Sequence, residues 1–430
     1  MLRKYSLTAR ILLGCLIFVG LGLRAARRAG SASASGIGPV ANGALPGPFP
    51  LFPATNWWNL EITSWPLDPN SASFISFINN GGARKLHPDF GGDVSPGSSE
   101  IYGMPYAVVD GMQTKKAVQF LYSGDSDGVD HTTDTSFPFY PIPDEAISQA
   151  HWIEGGWPGN QDFRSSNDRH LLIVDRDNKY LYELYNVFYD GTKWLGGSGA
   201  FFDMNTNNRR PDGWTSADAA GLAILPGLVR YDEVYGPNEI AHAFRFTVRA
   251  TNGYVYPASH RAGSTAGAPP MGTRLRLKAS KDISSFPADA QKIFRAMKKY
   301  GLILADNGSD MYITGTYDTR WNNSVLNPAF AGLTASDFEV IQLGYSPPIT
   351  TPTATPSPAT SPTVTPTKTP TQPLATPTAT RTASATPTSA PPTATATVTL
   401  TAAPPTATLT PAPTRTPRHL PKKKTPMPTP

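Results

Sequence analysis

The residue types needed for acid/base chemistry occur together between residues 200 and 239 of this 430-residue chain. Carboxylates and arginines alternate there: Asp203, Arg209, Arg210, Asp212, Asp218, Arg230, Asp232, Glu233 and Glu239. A glycoside hydrolase needs two carboxylates about 5–10 Å apart, one as acid and the other as nucleophile or base. Asp218 and Asp232 are the leading pair, because apolar or glycine-rich residues beside each would bury it and raise one pKa.

Three other side chains would support this chemistry. Arg230 would bind substrate and keep one carboxylate ionised, and His242, at the start of an alternating segment, would also contact substrate. Glu183 is a third catalytic candidate, facing either a cleft or solvent. The alternative for the whole group is that Arg–carboxylate pairs brace a long loop.

Aromatic side chains suited to sugar binding accompany these carboxylates. Two of the eight tryptophans, Trp157 and Trp214, lie in predicted loops beside acidic residues and glycines. A flat aromatic face can stack on the apolar face of a sugar while polar neighbours bind its hydroxyls. The alternative is that these rings brace the loops against a sheet.

The only metal site that the spacing suggests is a loop containing Asp125, Asp127 and Asp130 around Gly128. Its oxygen density resembles a calcium loop without the full EF-hand spacing, so it is either a structural Ca²⁺ site or a polar turn. Histidine pairs with zinc spacing, a Gly-x-Ser-x-Gly elbow and a phosphate-binding glycine loop are all missing from the sequence. We therefore expect no other cofactor.

The elements that must hold these residues are mostly strands. Segments 170–174 and 180–188 flank a polar turn and predict a hairpin, and segments 106–109 and 117–122 predict another. Segment 242–249 alternates, with Phe244 inward and Arg245 outward, which is typical of antiparallel sheets with one wet face.

Helical spacing is confined to two segments. Apolar residues recur at three- and four-residue intervals in segments 69–79 and 287–300, and Gly301 would end the second helix. The sequence therefore predicts a mainly β fold, a single antiparallel, sandwich-like domain over residues 45–346 with a few peripheral helices.

The two ends differ from this domain in composition. Residues 1–34 have a basic start, an apolar run over 11–23 and small residues, which predicts a signal peptide or an N-terminal anchor. Residues 347–430 are mainly Thr, Pro, Ala and Ser, which predicts a disordered, extended stalk with a basic end. The lone cysteine, Cys15, lies in the leader, so disulfides are not expected in the domain.

Charge is divided unevenly along the chain. Of the 37 Lys and Arg, six lie in residues 1–34 and seven in residues 347–430, whereas all 32 Asp and Glu lie between. The middle therefore has 24 basic and 32 acidic residues, a net charge of −8. An acidic domain repels phosphate, so we do not expect nucleic acid as a partner.

Several segments together resemble a group of secreted bacterial proteins. They are GWTSADAAGL (213–222), LPGLVRYDE (225–233), PPMGTRLRLKAS (269–280) and ADNGS (305–309). The resemblance implies secretion and a single domain. It carries no assigned activity, so it transfers no catalytic residue to this chain.

These observations lead to one functional expectation with an alternative. The expected protein is secreted or held at a bacterial cell surface, has no membrane span beyond the N-terminal segment, and acts on an extracellular polysaccharide, as a glycoside hydrolase. The alternative is a non-catalytic glycan-binding, adhesive or structural envelope module. Carboxylates converging on one pocket would favour the enzyme, and carboxylates dispersed in arginine pairs would favour binding.

Overall fold

The computed structural model describes residues 38–92 and 101–346 of the chain. The leader predicted over 1–34 and the stalk predicted over 347–430 lie outside these residues. Strands outnumber helices, which confirms the mainly β prediction. In chain order, the strands are β1 (Val40–Ala41), β2 (His87–Asp89), β3 (Gly91–Gly92), β4 (Ile101–Tyr102), β5 (Tyr106–Val109), β6 (Val118–Phe120), β7 (Val129–Asp130), β8 (Thr135–Ser136), β9 (Leu171–Asp175), β10 (Tyr180–Tyr185), β11 (Phe188–Tyr189), β12 (Trp194–Gly196), β13 (Ser198–Asp203), β14 (Phe244–Val248), β15 (Arg274–Leu277), β16 (Leu302–Asn307), β17 (Tyr312–Thr314) and β18 (Phe338–Val340).

Two large sheets dominate the described part. A five-stranded sheet has the order β1-β5-β9-β10-β13, and a six-stranded sheet has the order β18-β15-β16-β14-β17-β2. A three-stranded sheet, β11-β12-β6, and the pairs β3-β4 and β7-β8 complete the strands. Both large sheets are mixed, because β5–β9 and β14–β16 pair in parallel while β9–β10 and β15–β16 pair antiparallel. The antiparallel prediction is therefore met only in part.

One predicted hairpin is confirmed and the other is wrong. β9 and β10 pair antiparallel across a turn in which Asp175 accepts backbone hydrogen bonds from Asp177 and Asn178, so local side chains set this pairing. By contrast, β5 pairs with β1 and β9, and β6 pairs in parallel with β12. All residues of β5 and β9 are buried, as expected for parallel strands with both faces covered.

The five-stranded sheet packs on both of its faces. On one face, Leu172, Val174 and Leu181 join a cluster with Ile224 and Leu225 from a single 3₁₀ turn and its approach. On the other face, Ile173 and Leu184 pack against side chains from the three-stranded sheet. The resulting layers have partial sandwich character, with the smaller sheet covering one face.

The described residues form five α-helices, α1 (Ser71–Asn79), α2 (Glu145–Ser148), α3 (Tyr231–Val234), α4 (Ala288–Lys299) and α5 (Asn323–Phe330). Four of the five border the six-stranded sheet and its core, whereas α2 packs in the core between the five- and three-stranded sheets. Both predicted helices, α1 and α4, are confirmed. The apolar stripe of α4 is buried, and Gly301 follows it with a φ of 77°, a backbone conformation that favours glycine. α4, the longest helix described, has 12 residues, and none of the described helices has the length and apolarity to cross a membrane.

The prediction that one face of β14 is exposed to solvent is wrong at Arg245. Phe244, Phe246 and Val248 point inward as expected, but Arg245 on the opposite face is also buried, at 4% exposure. A buried guanidinium requires a charged or hydrogen-bonding partner. That partner is a carboxylate from the segment between the sheets, described below.

Candidate functional site

A cavity of about 230 Å³ opens beside the edge of the five-stranded sheet where β1 lies. Four chain segments that are distant in sequence form its walls. The lining residues are Asn42, Gly43, Ala44, Leu45, Phe49, Tyr106, Tyr231, Asp232, Thr316, Tyr317, Asp318 and Arg320. Aromatic rings, carboxylates and one guanidinium therefore share a single space.

The first wall is the segment 42–49, which follows β1 and is called the strap below. β1 pairs antiparallel with β5, and Asn42 continues the pairing, because its amide donates to the Tyr106 carbonyl and its side chain accepts from the Tyr106 amide. The Tyr106 hydroxyl then donates to the Gly43 carbonyl at 3.0 Å. Asn42 has a φ of 51°, which asparagine tolerates better than most residues. These bonds fix the start of the strap against β5.

The opposite wall comes from the short helix α3 and the segment after β17. The Val229 amide donates to Thr314 and the Thr316 amide donates to Val229, so the two segments lie side by side. Arg320 binds Asp318 with two hydrogen bonds, of 2.9 and 2.6 Å. The same guanidinium lies 3.9 Å from the centre of the Tyr231 ring. Asp318, Arg320 and Tyr231 thus form one stacked unit.

Asp232 is the more accessible carboxylate of the cavity. Its side chain is 58% exposed, whereas that of Asp318 is 17% exposed. The nearest cation is Arg230, whose Nε lies 3.5 Å from Asp232 Oδ1. Arg230 is itself buried and approaches Glu233 more closely, with Nη2 at 2.6 Å from Oε1. Asp232 therefore keeps most of its capacity to accept hydrogen bonds.

Two cavity-side groups have shifted pKa values with clear causes. Burial raises the pKa of Tyr106 to about 12, and the neighbouring carboxylate of Asp232 adds to the shift. Burial alone would raise the pKa of Glu233, but His242 and Arg230 hold it below its ordinary value. Tyr106 thus stays a neutral hydroxyl that donates to Gly43, and Glu233 is an ionised anchor for the buried side chains of Arg230 and His242.

His242 belongs to this anchor. Its Nε2 lies 2.9 Å from Glu233 Oε2, and its Nδ1 lies 2.8 Å from the Ala243 carbonyl. Both ring nitrogens are therefore engaged within the protein, and the ring is buried. His242 and Arg230, predicted to bind substrate, support α3 from beneath the cavity and do not line it.

Asp218 lies in a different environment from Asp232. Its carboxylate is fully buried and accepts hydrogen bonds from Arg245 Nε at 2.9 Å and Nη2 at 2.7 Å. Arg245 also donates to the Thr314 hydroxyl on β17. The predicted pair is thus divided between a buried ion pair and a cavity wall.

Glu183 is buried rather than facing a cleft or solvent. Its carboxylate accepts backbone hydrogen bonds from Ile224 and Leu225, at 2.8–3.0 Å. Burial raises its pKa to about 7, although these backbone donors favour the ionised form. Glu183 lies off the cavity wall, so its altered pKa is not placed to act on a ligand there.

Near Glu183, the buried His170 forms an ion pair with Glu154, whose side chain is half-buried. His170 Nδ1 lies 2.5 Å from Glu154 Oε2, and its Nε2 lies 3.0 Å from the Ala217 carbonyl. Burial would lower the pKa of His170, but Glu154 outweighs it and raises the pKa to about 9. Because both ring nitrogens face acceptors, the imidazolium is the form that this environment accommodates.

The two predicted sugar-stacking tryptophans lie outside the cavity wall and are partly buried. Trp157 stacks on Phe163 with ring centres 4.2 Å apart. Trp214 makes an edge contact with His131 and lies under Arg210, 5.3 Å from the guanidinium carbon. The other six tryptophans are buried, at most 8% exposed, and serve the cores.

The three aspartates of the predicted calcium loop are engaged by other groups of the protein, and Arg210 contacts two of them. Asp127 binds Arg210 at 2.5 Å and also accepts the Phe201 amide. Asp130 accepts from Thr132 and Thr133, and the Asp125 carbonyl accepts from Arg210. Within residues 38–92 and 101–346, no three His, Cys, Asp or Glu side chains converge in a metal-binding group. Such contacts are those expected of a polar turn, and a bound Ca²⁺ at this loop stays a prediction.

Sequence reasoning identified only one of the cavity's functional groups, Asp232. Asp318 and Arg320 were visible as a Tyr-Asp-Thr-Arg-Trp segment rich in polar and aromatic residues. Phe49 and Tyr106 gave no such signal, because a lone aromatic in a proline-rich segment or a strand is ordinary. Their convergence depends on pairing between β1 and β5, which the sequence pattern did not predict.

Comparisons with known proteins add no assignment. A scan against protein-family models and searches of curated proteins and of solved structures gave no significant match to this chain. The site must therefore be interpreted from its own chemistry.

Proposed function

We propose that this protein is a secreted or cell-surface glycan-binding protein that holds a sugar ring in the cavity between the strap and α3. The observation that carries the proposal is the lining itself, which combines the rings of Phe49, Tyr106, Tyr231 and Tyr317 with hydrogen-bonding carboxylates. Aromatic faces suit the apolar face of a sugar, and carboxylates suit its hydroxyls. The leader and stalk predicted from the sequence suit an extracellular partner.

The size of the cavity fits a single ring better than a long chain. Its volume of about 230 Å³ lies below the ~300–1,000 Å³ typical of pockets for drug-sized ligands. A chain end or one exposed ring of a polysaccharide would therefore be the bound part. Asp232, as an exposed acceptor, would bind hydroxyls of the sugar, whereas the Tyr106 hydroxyl donates its one proton to the Gly43 carbonyl and offers the ligand an acceptor.

Binding without hydrolysis is favoured over catalysis. Most carboxylates near the cavity are held by cations, as in Asp318–Arg320 and Glu233–Arg230. A general acid needs a carboxyl with a raised pKa at the reacting bond, and Glu183, which has one, lies off the cavity wall. A glycoside hydrolase remains the second candidate, because Asp232 and Asp318 line the same cavity.

One experiment distinguishes glycan binding from glycoside hydrolysis. The purified protein is screened against a panel of polysaccharides and their oligomers for both binding and release of reducing ends. Binding without release is expected. Release that disappears in an Asp232→Asn, Asp318→Asn double variant would instead support the hydrolase. Failure to bind any member of a broad panel would contradict the proposed function.

A further inference from the structure

We infer that a bound glycan continues from the cavity onto the ring of Tyr235, which forms a second sugar subsite on the surface beside α3. This inference rests on the proposed glycan-binding function and extends it to ligands of at least two rings. The cavity, at about 230 Å³, has room for roughly one ring, so the rest of an oligosaccharide must lie on the surface next to it. The side chains of that surface therefore determine how the chain is held.

Tyr235 is an exposed aromatic residue in direct contact with the cavity wall. It is 45% exposed, and its ring centre lies 4.4 Å from that of Tyr231, with the two planes 32° apart. Arg320 lies over the same Tyr231 ring, 3.9 Å from its centre. Tyr231 thus contacts both Arg320, which lines the cavity, and Tyr235, which does not. The ring of Tyr235 therefore begins where the cavity wall ends.

The ring of Tyr235 is held in place without a ligand. Its amide, directly after α3, donates to the Tyr231 carbonyl, and its hydroxyl donates to Asp289 Oδ2 on α4 at 2.8 Å. Its ring centre lies 6.1 Å from that of the buried Trp321. A side chain fixed at both of its ends loses little conformational freedom on binding, so more of the stacking energy contributes to affinity.

Charged side chains with hydrogen-bonding capacity flank this ring. Arg320 is 63% exposed, and its two bonds to Asp318 use Nε and Nη2, so Nη1 can donate to a sugar hydroxyl. At the hydroxyl end of the Tyr235 ring, the Asp289 carboxylate accepts one hydrogen bond and has further acceptor sites. An aromatic face between hydrogen-bonding side chains suits a sugar ring.

The test measures how affinity grows with the length of the glycan. Ligand-observed NMR titrations of the purified full-length protein use the monomer, dimer and tetramer of the panel glycan that binds best, such as glucose, cellobiose and cellotetraose for a β-1,4-glucan. The length gain is the ratio of tetramer affinity to monomer affinity. We expect a length gain of about tenfold in wild type, because the longer ligand stacks on a second aromatic ring.

Three variants assign the length gain to the ring of Tyr235. Tyr235→Ala removes the ring and should reduce the length gain about 2- to 10-fold. Tyr235→Phe loses only the hydrogen bond to Asp289 and should keep most of the gain. Tyr122→Ala is the matched control, since Tyr122 is 46% exposed and follows β6, outside the cavity lining. It should keep the full gain.

Three outcomes would overturn the inference. Equal affinities for monomer and tetramer in wild type would exclude a second subsite and leave binding in the cavity intact. A length gain that is unchanged in Tyr235→Ala, or reduced equally in Tyr122→Ala, would show that the Tyr235 ring does not hold the second sugar. Binding of no panel glycan at all would contradict the proposed function itself.

Discussion

Both carboxylate oxygens of Asp218 accept hydrogen bonds from one buried guanidinium, that of Arg245. A residue chosen from sequence for acid/base chemistry thus has an evident structural role. It joins the segment between the sheets to β14, and Arg245 continues the contact to Thr314 on β17. Removing one partner of such a pair leaves the other charge buried without compensation.

Asp218→Asn should therefore destabilise the protein strongly. We expect a loss of about 3–5 kcal/mol in the free energy of unfolding, measured by urea denaturation. Asp144→Asn is the control, because Asp144 is 76% exposed and pairs with Lys116 at the surface, where a pair contributes about 0–1 kcal/mol. Similar losses in the two variants would contradict a stabilising role for the buried pair.

His170 should make stability depend on pH in the alkaline range. Its pKa in the folded protein is about 9, above the ordinary 6.5, because Glu154 outweighs the opposing effect of burial. A raised pKa means that its contribution is fully present below about pH 6.5 and is lost as the pH rises through 9.

The measurement is urea unfolding between pH 6 and about pH 9.5 for wild type and His170→Asn. Wild type should lose on the order of 2–3 kcal/mol more than the variant over this range. His131→Asn, at an exposed histidine, should follow wild type. A variant with the same pH dependence as wild type would show that His170 does not carry the effect.

At the scale of elements, the structures that depend on neighbouring residues could be predicted from the sequence, whereas the pairing of distant strands could not. The β9–β10 turn and helix α4 depend on neighbouring residues, such as Asp175 and Gly301, so their patterns are complete in the sequence. The partners of β5 lie on β1 and β9, and alternation along a strand does not encode which strand it meets. The sequence predicted a solvent-exposed Arg245, because alternation along β14 gives no sign of its buried partner Asp218, 27 residues away in the chain.

Strand β13 depends on the absence of a side chain at Gly199. A Cβ at this position would lie 2.4 Å from the Tyr140 hydroxyl oxygen, 2.6 Å from Phe120 and 2.8 Å from Leu184. These residues are buried around the face of the sheet that the three-stranded sheet covers. Gly199 is therefore needed for close packing between the two sheets.

Gly199→Ala should cost about 1–3 kcal/mol of stability through overpacking, measured as a lower urea midpoint. Gly124→Ala is matched to it, because a Cβ at Gly124 would meet nothing within 4 Å and the change in the unfolded chain is the same. The control should be neutral or slightly stabilising. Equal effects at the two positions would contradict the packing explanation.

At the scale of the whole molecule, the cavity is the feature that sequence reasoning could not assemble. Its walls come from residues 42–49, 106, 231–232 and 316–320, which only the fold brings together. Asp232 was found because acidic and arginine residues cluster near it. Phe49 and Tyr106 could not be found, since a strap paired to a sheet edge is specified by tertiary contacts.

The division of charge bears on the same cavity. The basic residues at the two ends raise the overall net charge to +5, although the chain between them is acidic. This division argues for a cationic or neutral partner at the folded part. Binding by the basic C-terminal end can also be distinguished from binding in the cavity, because substitutions in the cavity would leave binding by the basic end unchanged.

The most direct test of glycan binding in the cavity is a comparison of two exposed phenylalanines. Phe49 lines the cavity and is 49% exposed, whereas Phe137 is 43% exposed and lies outside the lining. Affinity for the best-bound oligosaccharide of the panel is measured for wild type, Phe49→Ala and Phe137→Ala. We predict about 2- to 10-fold weaker binding for Phe49→Ala and unchanged binding for Phe137→Ala. Unchanged binding in Phe49→Ala, or an equal loss in both variants, would contradict the account.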